Sequence, residues 1–388
     1  MNRTRQARRS VAESAQMTRQ LASVLVVLTL AAASPAAQSP RAPSAGTGTI
    51  FVGSYSGHLT AIDEATETVT KIPLKTGAPY AVRLSPDRSR FYVQSANQER
   101  FEVVDVRTRQ SIDSFTLSDA SHHVRALAYE VDPQHRTMVI VAHAATKLID
   151  RWEIGPNEFI LYDLVQHKVM RTVPWTIDPE PSYFSVALRF SPDGKLLYVF
   201  GNEVTIYDAA TMEQVDTWDL SRPTDTAMGR FDPGPWDDSA DQPGSATSLF
   251  TMRDAVMKRK LLVVGKINLA AKTVDVFPIG PEPATGSLQF TVGPGGTRAH
   301  VLRAEIGHHE LWTIDLVKRA VTSRIDVPTR TRMQMRSSSS GLVYIYEAGS
   351  MIEVYSADAS TLLRTIKLDS DMMYATFVIV PASATAPK

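Results

Sequence analysis

The sequence predicts an all-β chain folded as a seven-bladed β-propeller, its ring closed by a C-terminal strand that completes blade one. Three observations predict it. A phrase of tight turn and apolar strand occurs twice, as SPDRSRFYVQS over 85–95 and SPDGKLLYVFG over 191–201. A short apolar strand ending in an acid recurs at Asp63, Asp105, Asp163, Asp208 and Asp315, with Asn268 and Ser356 ending two degenerate copies. The first copy is one strand short, while the chain closes on a strand with no neighbour of its own. The seven signatures lie 42, 58, 45, 60, 47 and 41 residues apart, and a four-stranded blade takes about 40–50. The two longest intervals carry insertions.

Residues 1–37 stand outside the repeat. Arg3, Arg5, Arg8, Arg9 and Arg19 precede the apolar run LASVLVVLTLAAA (21–33), and small residues follow in SPAAQ. Basic, apolar and small-residue regions in that order read as a secretory signal peptide, and the run is short for a membrane span. Residues 38–48, QSPRAPSAGTG, read as a flexible linker. A periplasmic or secreted location follows as the expectation.

Blade one then opens on TIFVGSY (49–55), HLTAID (58–63) and TVTKIPL (68–74). Its missing inner strand is supplied by YATFVIV (374–380), which makes 49–381 one domain and leaves 382–388 as a disordered tail. Sealing the ring removes the edges that an open array would expose. Within each copy, β-branched and aromatic residues fill short strands. SPDG presets a turn between the first and second strands. The recurrent aspartates suit a further turn, with the carboxylate accepting backbone N–H groups, and are read as structural.

Composition narrows the function. Apolar residues make up 43% of 388, enough for a large core. The absence of cysteine excludes disulfides, thiolate metal sites, c-type haem attachment and a cysteine nucleophile. The 41 basic and 41 acidic side chains balance, which argues against a dedicated nucleic-acid binder. No G-x-S-x-G, H-E-x-x-H, phosphate loop or dinucleotide fingerprint occurs.

If strands A to D of a blade run from axis to rim, connections B–C and D–A emerge on one face and A–B and C–D on the other. Residues 144–157 form a B–C insertion in blade three, and 221–246 a D–A insertion before blade five. Both are expected on the first face, where long connections on a rigid scaffold carry binding. Residues opening the A strands should line its axial mouth: Tyr80, His122, His123, Tyr183, Thr247, Thr285, Arg330, Arg332 and Asp371. Neighbours on an extended chain point opposite ways, so one histidine at most of His122–His123 faces the mouth. Trp152, Phe231, Trp236 and Asp237 in the insertions are candidate protein contacts. No metal and no cofactor of its own are expected in this chain.

VRLSPDRSRFYVQSANQERFEVVDVRTRQ and LRFSPDGKLLYVFGNEVTIYDAATMEQV resemble the YVTN-type seven-bladed propellers. The extended third blade, ending in RWEIGPNEFILYDL (151–164), and the insertion before the fifth are similar to the β subunit of quinohaemoprotein amine dehydrogenase. The resemblance implies a periplasmic, non-catalytic quinoprotein subunit. It would support a dihaem subunit and a small subunit whose quinone is built from Cys and Trp, and it would help to wall the amine pocket. The alternatives are a lactonase-like hydrolase with an axial site, which other YVTN-like propellers resemble, and a ligand-binding or surface propeller.

Overall fold

The computed structural model describes residues 46–178, 180–181, 186–201, 203–219, 232–233, 243–254, 258–282, 287–330, 332–347, 349–373 and 376–382. The chain divides into Met1–Arg41 and Ala42–Lys388; the described residues belong to the second unit.

They form seven four-stranded antiparallel sheets. Blade one joins Thr49–Ser54, His58–Asp63 and Val69–Pro73 (β1–β3). Blade two is Pro79–Leu84, Arg90–Ser95, Arg100–Asp105 and Gln110–Thr116 (β4–β7). Blade three is His122–Val131, Thr137–Lys147, Trp152–Asp163 and Lys168–Pro174 (β8–β11). Blade four is Ala187–Phe190, Leu196–Phe200, Val204–Asp208 and Gln214–Trp218 (β12–β15). Blade five is Asp232–Pro233, Ser245–Arg253, Lys260–Asn268 and Thr273–Pro281 (β16–β19). Blade six is Ser287–Val292, Arg298–Glu305, His308–Asp315 and Ala320–Val327 (β20–β23). Blade seven is Gln334–Ser337, Val343–Tyr346, Met351–Tyr355 and Leu362–Lys367 (β24–β27). The last strand, Val378–Val380 (β28), returns to blade one.

The core is a ring of hydrophobic clusters between neighbouring blades. Side chains alternate across a strand. In β1, Phe51 therefore joins Leu84, Phe91 and Val104 of blade two, whereas Ile50 and Val52 join Tyr344, Tyr346 and Ile352 of blade seven. Five further clusters link blades two to three, three to four, four to five, five to six and six to seven. Both faces of a middle strand are thus buried, which explains why these strands read as continuous apolar runs. The fourth strands form the rim and alternate exposed with half-buried residues, as in β7 and β23.

The seam is where β28 pairs with β1: Thr49 opposite Val380, Ile50 opposite Ile379, Phe51 opposite Val378. The ladder is shorter than the sequence suggests, but the seam continues through Thr376, whose Oγ1 accepts the Gly53 N–H at 2.9 Å, and through Met373 N–H to the Gly53 carbonyl at 2.7 Å. A Cβ at Gly53 would collide with Pro79 and Thr376, so the close approach requires glycine here.

The turn chemistry repeats with the strands. Ser85 Oγ donates to Asp87 Oδ1 at 2.6 Å and accepts the Arg90 N–H at 3.0 Å; Ser191 does the same with Asp193 and Leu196, at 2.6 and 2.9 Å. The signature aspartates accept backbone N–H groups at the C–D turns, for example Asp208 from Thr211 at 2.8 Å and Asp315 from Lys318 at 2.8 Å. Asn268 reproduces the bond with Ala271 at 3.0 Å, although it carries no charge. A β-bulge follows on the C–D pairing of blades two, three, four, six and seven, adding twist toward the rim.

Two expectations are corrected. Residues 144–157 are not a loop: β9 and β10 continue as a ladder to Trp152 opposite Lys147, and β8 extends beside them with His123 opposite Ala145. Blade five takes its inner strand, β16, from inside the second insertion, with Asp232 opposite Thr251. Ser245–Arg253 is therefore strand B rather than A; residues 221–231 and 234–242 of the second insertion lie outside the described residues.

Candidate functional site

On the insertion face, blade three has the longest strands among the described residues, of 10, 11 and 12 residues for β8, β9 and β10. Strands β9 and β10 are joined by a turn at 148–151, with Leu148 N–H bonded to Arg151 O at 2.8 Å. Ile149 is fully exposed, Ile154 is 71% exposed and Trp152 46%. The Trp152 ring meets His123 edge-on, centroids 4.8 Å apart, and His123 Nδ1 lies 3.0 Å from Glu99 Oε1 of blade two. His123 therefore props the hairpin rather than facing an axial mouth. His122 is exposed, with its N–H donated to Asp119 Oδ1 at 2.8 Å and Nδ1 3.1 Å from Ser121 Oγ.

The other predicted residues do not gather in one place. Tyr80 is half-buried at a bulge in β4, skipped between the pairs Pro79–Ser95 and Ala81–Gln94. Asp371 is exposed, and its carbonyl accepts the Tyr55 N–H at 3.3 Å. Arg330 and Arg332 do share a cavity, of about 750 Å³, with Glu305, Ile306, His309 and Glu347. Arg330 is neutralised there: it is bonded to Glu353 and lies 3.8 Å from Glu347, while its N–H is donated to His309 Nδ1 at 3.2 Å. The Glu353 hydrogen bond raises its pKa further. Arg332 is exposed with φ 53°. Tyr183, Phe231, Trp236, Asp237 and Thr285 lie outside the described residues.

The turn face holds concavities that the sequence reading did not place. A cleft of about 630 Å³ runs beside blades five to seven, lined by Arg88, Lys266, Asp275, Arg319, Ser337 and Ser338 among others. Thr247, expected on the insertion face, lines this cleft because it opens strand B. A second hollow of about 230 Å³ is lined by Arg83, Glu130 and Arg189 of three successive inner strands. Glu130 Oε2 accepts from Arg83 at 2.9 Å and Arg189 at 3.2 Å. The sequence signal is a charged residue one place from the end of four inner strands: VRL, YEV, LRF, and in blade seven MRS. At the edge of the second hollow, Asp87 of one turn holds His135 of the next, Oδ2 to Nε2 3.0 Å, and His135 Nδ1 lies 2.7 Å from Tyr92 Oη. His135 (φ 58°) occupies the left-handed position that Gly194 fills in blade four.

No protein-family model matches the sequence, and neither does any curated protein. Solved structures do match in fold. A functionally unknown protein from Desulfotomaculum acetoxidans is 12% identical with a TM-score of 0.50, covering 87% of this chain and 99% of that one. Apo AztD from Citrobacter koseri is 10% identical with a TM-score of 0.50, covering 86% and 98%. Hydrazine synthase from Kuenenia stuttgartiensis is 15% identical with a TM-score of 0.45, covering 81% and 90%. At such identities the likeness is one of fold, not of function. Among the described residues, no helix is long and apolar enough to cross a membrane.

Proposed function

We propose that this chain is an exported, non-catalytic propeller that binds a protein partner through its blade-three hairpin, in the manner that its resemblance to the amine dehydrogenase β subunit implies. The observation that carries the reading is the apolar hairpin itself. Three strands are lengthened side by side, yet the tip presents Ile149, Trp152 and Ile154 to solvent. Burying such side chains is worth about 1.5–3 kcal/mol each, and the fold leaves that free energy unused. An exposed tryptophan with isoleucines on one hairpin tip is the composition of an interface anchor. Tyr55 and Ile306, also exposed, project from B–C turns of blades one and six on the same face. Arg330, expected to greet a small ligand on this face, is instead paired with Glu353 and Glu347. The signal-like segment 1–37 supports export.

The test is isolation of the tagged chain from the organism that encodes it, followed by sizing. The account expects a species larger than one chain, and expects the double variant Ile149→Asp, Ile154→Lys to run as one chain with unaltered thermal unfolding. A wild-type chain that runs alone from its own host contradicts it.

A second reading, a ligand-binding propeller, is favoured by the turn-face cleft. Arg88 and Lys266 line it beside an Arg319–Asp275 ion pair of 2.6 Å, a net positive lining that suits a small anion. Binding of organic carboxylates or phosphates that is lost with Lys266→Glu would select this reading.

A further inference from the structure

His308 and Glu310 are two residues apart on β22, so they project from the same side of the strand. Asp326 on β23 stands directly opposite Glu310 in the ladder. One ligand atom from each of the three lies within 4.8 Å of the other two. His308 Nε2 and Asp326 Oδ1 are 3.0 Å apart. None of the three takes part in the blade-three hairpin or in the cavity at Arg330.

The way Glu310 is held is informative. Trp312 Nε1–H and Arg303 Nη1–H both donate to its Oε2, each at 3.2 Å. Trp312 is fully buried, and Arg324 covers its ring at 4.1 Å. The carboxylate is therefore fixed by one oxygen, and Oε1 is left for another role. Outer donors that orient a ligating carboxylate are characteristic of metal sites. Arg303 is ion-paired with Glu305 as well, so its charge is shared between the two carboxylates. Two carboxylates thus converge on one imidazole. Their side chains differ in access: Glu310 is 18% exposed, whereas His308 is 54% and Asp326 83% exposed, open to an entering ion.

We infer that His308, Glu310 and Asp326 form a binding site for a first-row divalent cation of the zinc type. One imidazole nitrogen and two carboxylate oxygens would supply the protein ligands, and water the remaining position. The site departs from the sequence expectation of no metal, because the D-strand partner of a C-strand His-x-Glu cannot be identified without the ladder register.

The experiment is titration of the purified chain, stripped with chelator, with Zn²⁺ by calorimetry and with Co²⁺ by visible absorption. The expected result is one ion per chain, with Co²⁺ ligand-field bands of a low-coordinate site. His308→Ala and Asp326→Asn should each weaken binding at least about tenfold, while His167→Ala, an exposed histidine on blade three, leaves it unchanged. His308 and Asp326 are exposed, so both variants should unfold at the wild-type temperature in chelator, which separates loss of metal from loss of fold. Absence of stoichiometric binding, or His308→Ala and Asp326→Asn binding like wild type, overturns the inference.

Discussion

His300 and Glu64 are both buried ionisable groups, and pH acts on them with opposite sign. Thr313 Oγ1 gives its proton to the Asp358 carbonyl of blade seven at 2.8 Å, so His300 must donate to Thr313 through Nδ1–H, at 3.2 Å. Burial pushes its pKa down to about 4 from 6.5. The folded chain thus refuses a proton that the unfolded chain takes up. Its stabilisation is complete above pH 6.5 and declines by on the order of 3 kcal/mol as pH falls from 6.5 to about 4. We predict that the gap in melting temperature between wild type and His300→Leu narrows across that window; a constant gap argues for a charged His300. For Glu64, which accepts the Gly48 N–H at 2.9 Å beside the seam, burial raises the pKa above 4.5. The folded state then holds its proton the more firmly, so this term weakens stability as pH rises above 4.5. Glu64→Gln keeps an acceptor for Gly48, and is predicted to match or exceed wild-type stability at pH 8 and to flatten that slope; a clear destabilisation at pH 8 contradicts this. Neither residue was singled out from the sequence, because burial of a charge is a property of the closed ring. The turn aspartates were legible, since their acid–turn pattern is local. Backbone N–H groups hold Asp63, Asp163, Asp208 and Asp315 below the ordinary carboxylate pKa of 3.8. Their stabilisation is present above pH 3.8 and lost as pH falls through the lowered values.

At the scale of the element, the blade-three hairpin separates stability from recognition. Ile140, midway along β9, is buried in the cluster shared with blade two, while Ile154 on β10 packs against no core. Ile140→Ala should cost about 2–5 kcal/mol, and Ile154→Lys less than about 0.5 kcal/mol, measured by denaturant unfolding. Comparable losses would mean that the hairpin tip is part of the fold. The sequence concealed this element behind Gly155–Pro156–Asn157, which reads as a loop. In the structure those residues fall at a register shift between Ile154 and Asn157, and the ladder resumes beyond it. Blade five's inner strand was missed for a different reason: two residues are too few to show any periodicity. The polar inner-strand residues Arg83, Glu130 and Arg189 carried a readable signal, but only an alignment of the blades on one another turns it into a shared hollow.

For the whole molecule, closure is what gives the two faces their meaning. Seven interblade clusters form a ring only if β28 sits beside β1, which brings residues more than three hundred positions apart into one sheet. This much was visible from counting strands: a first copy lacking one and a chain end with one to spare. The placement of loops on faces followed from strand order alone, and the strand count differed from the expectation at blade five, where β16 lies within the insertion. Phe377, Val378, Ile379 and Val380 are all buried at the seam. At about 1.5–3 kcal/mol for each side chain, their loss rivals the 5–15 kcal/mol by which domains are stable at all. The most direct measurement is therefore thermal unfolding of a chain ending at Ala375 beside one ending at Pro381. The account predicts that the longer chain melts as the full-length protein does, and that the shorter loses its cooperative transition or melts many degrees lower. Equal melting of the two would show that the C-terminal strand does not seal the ring.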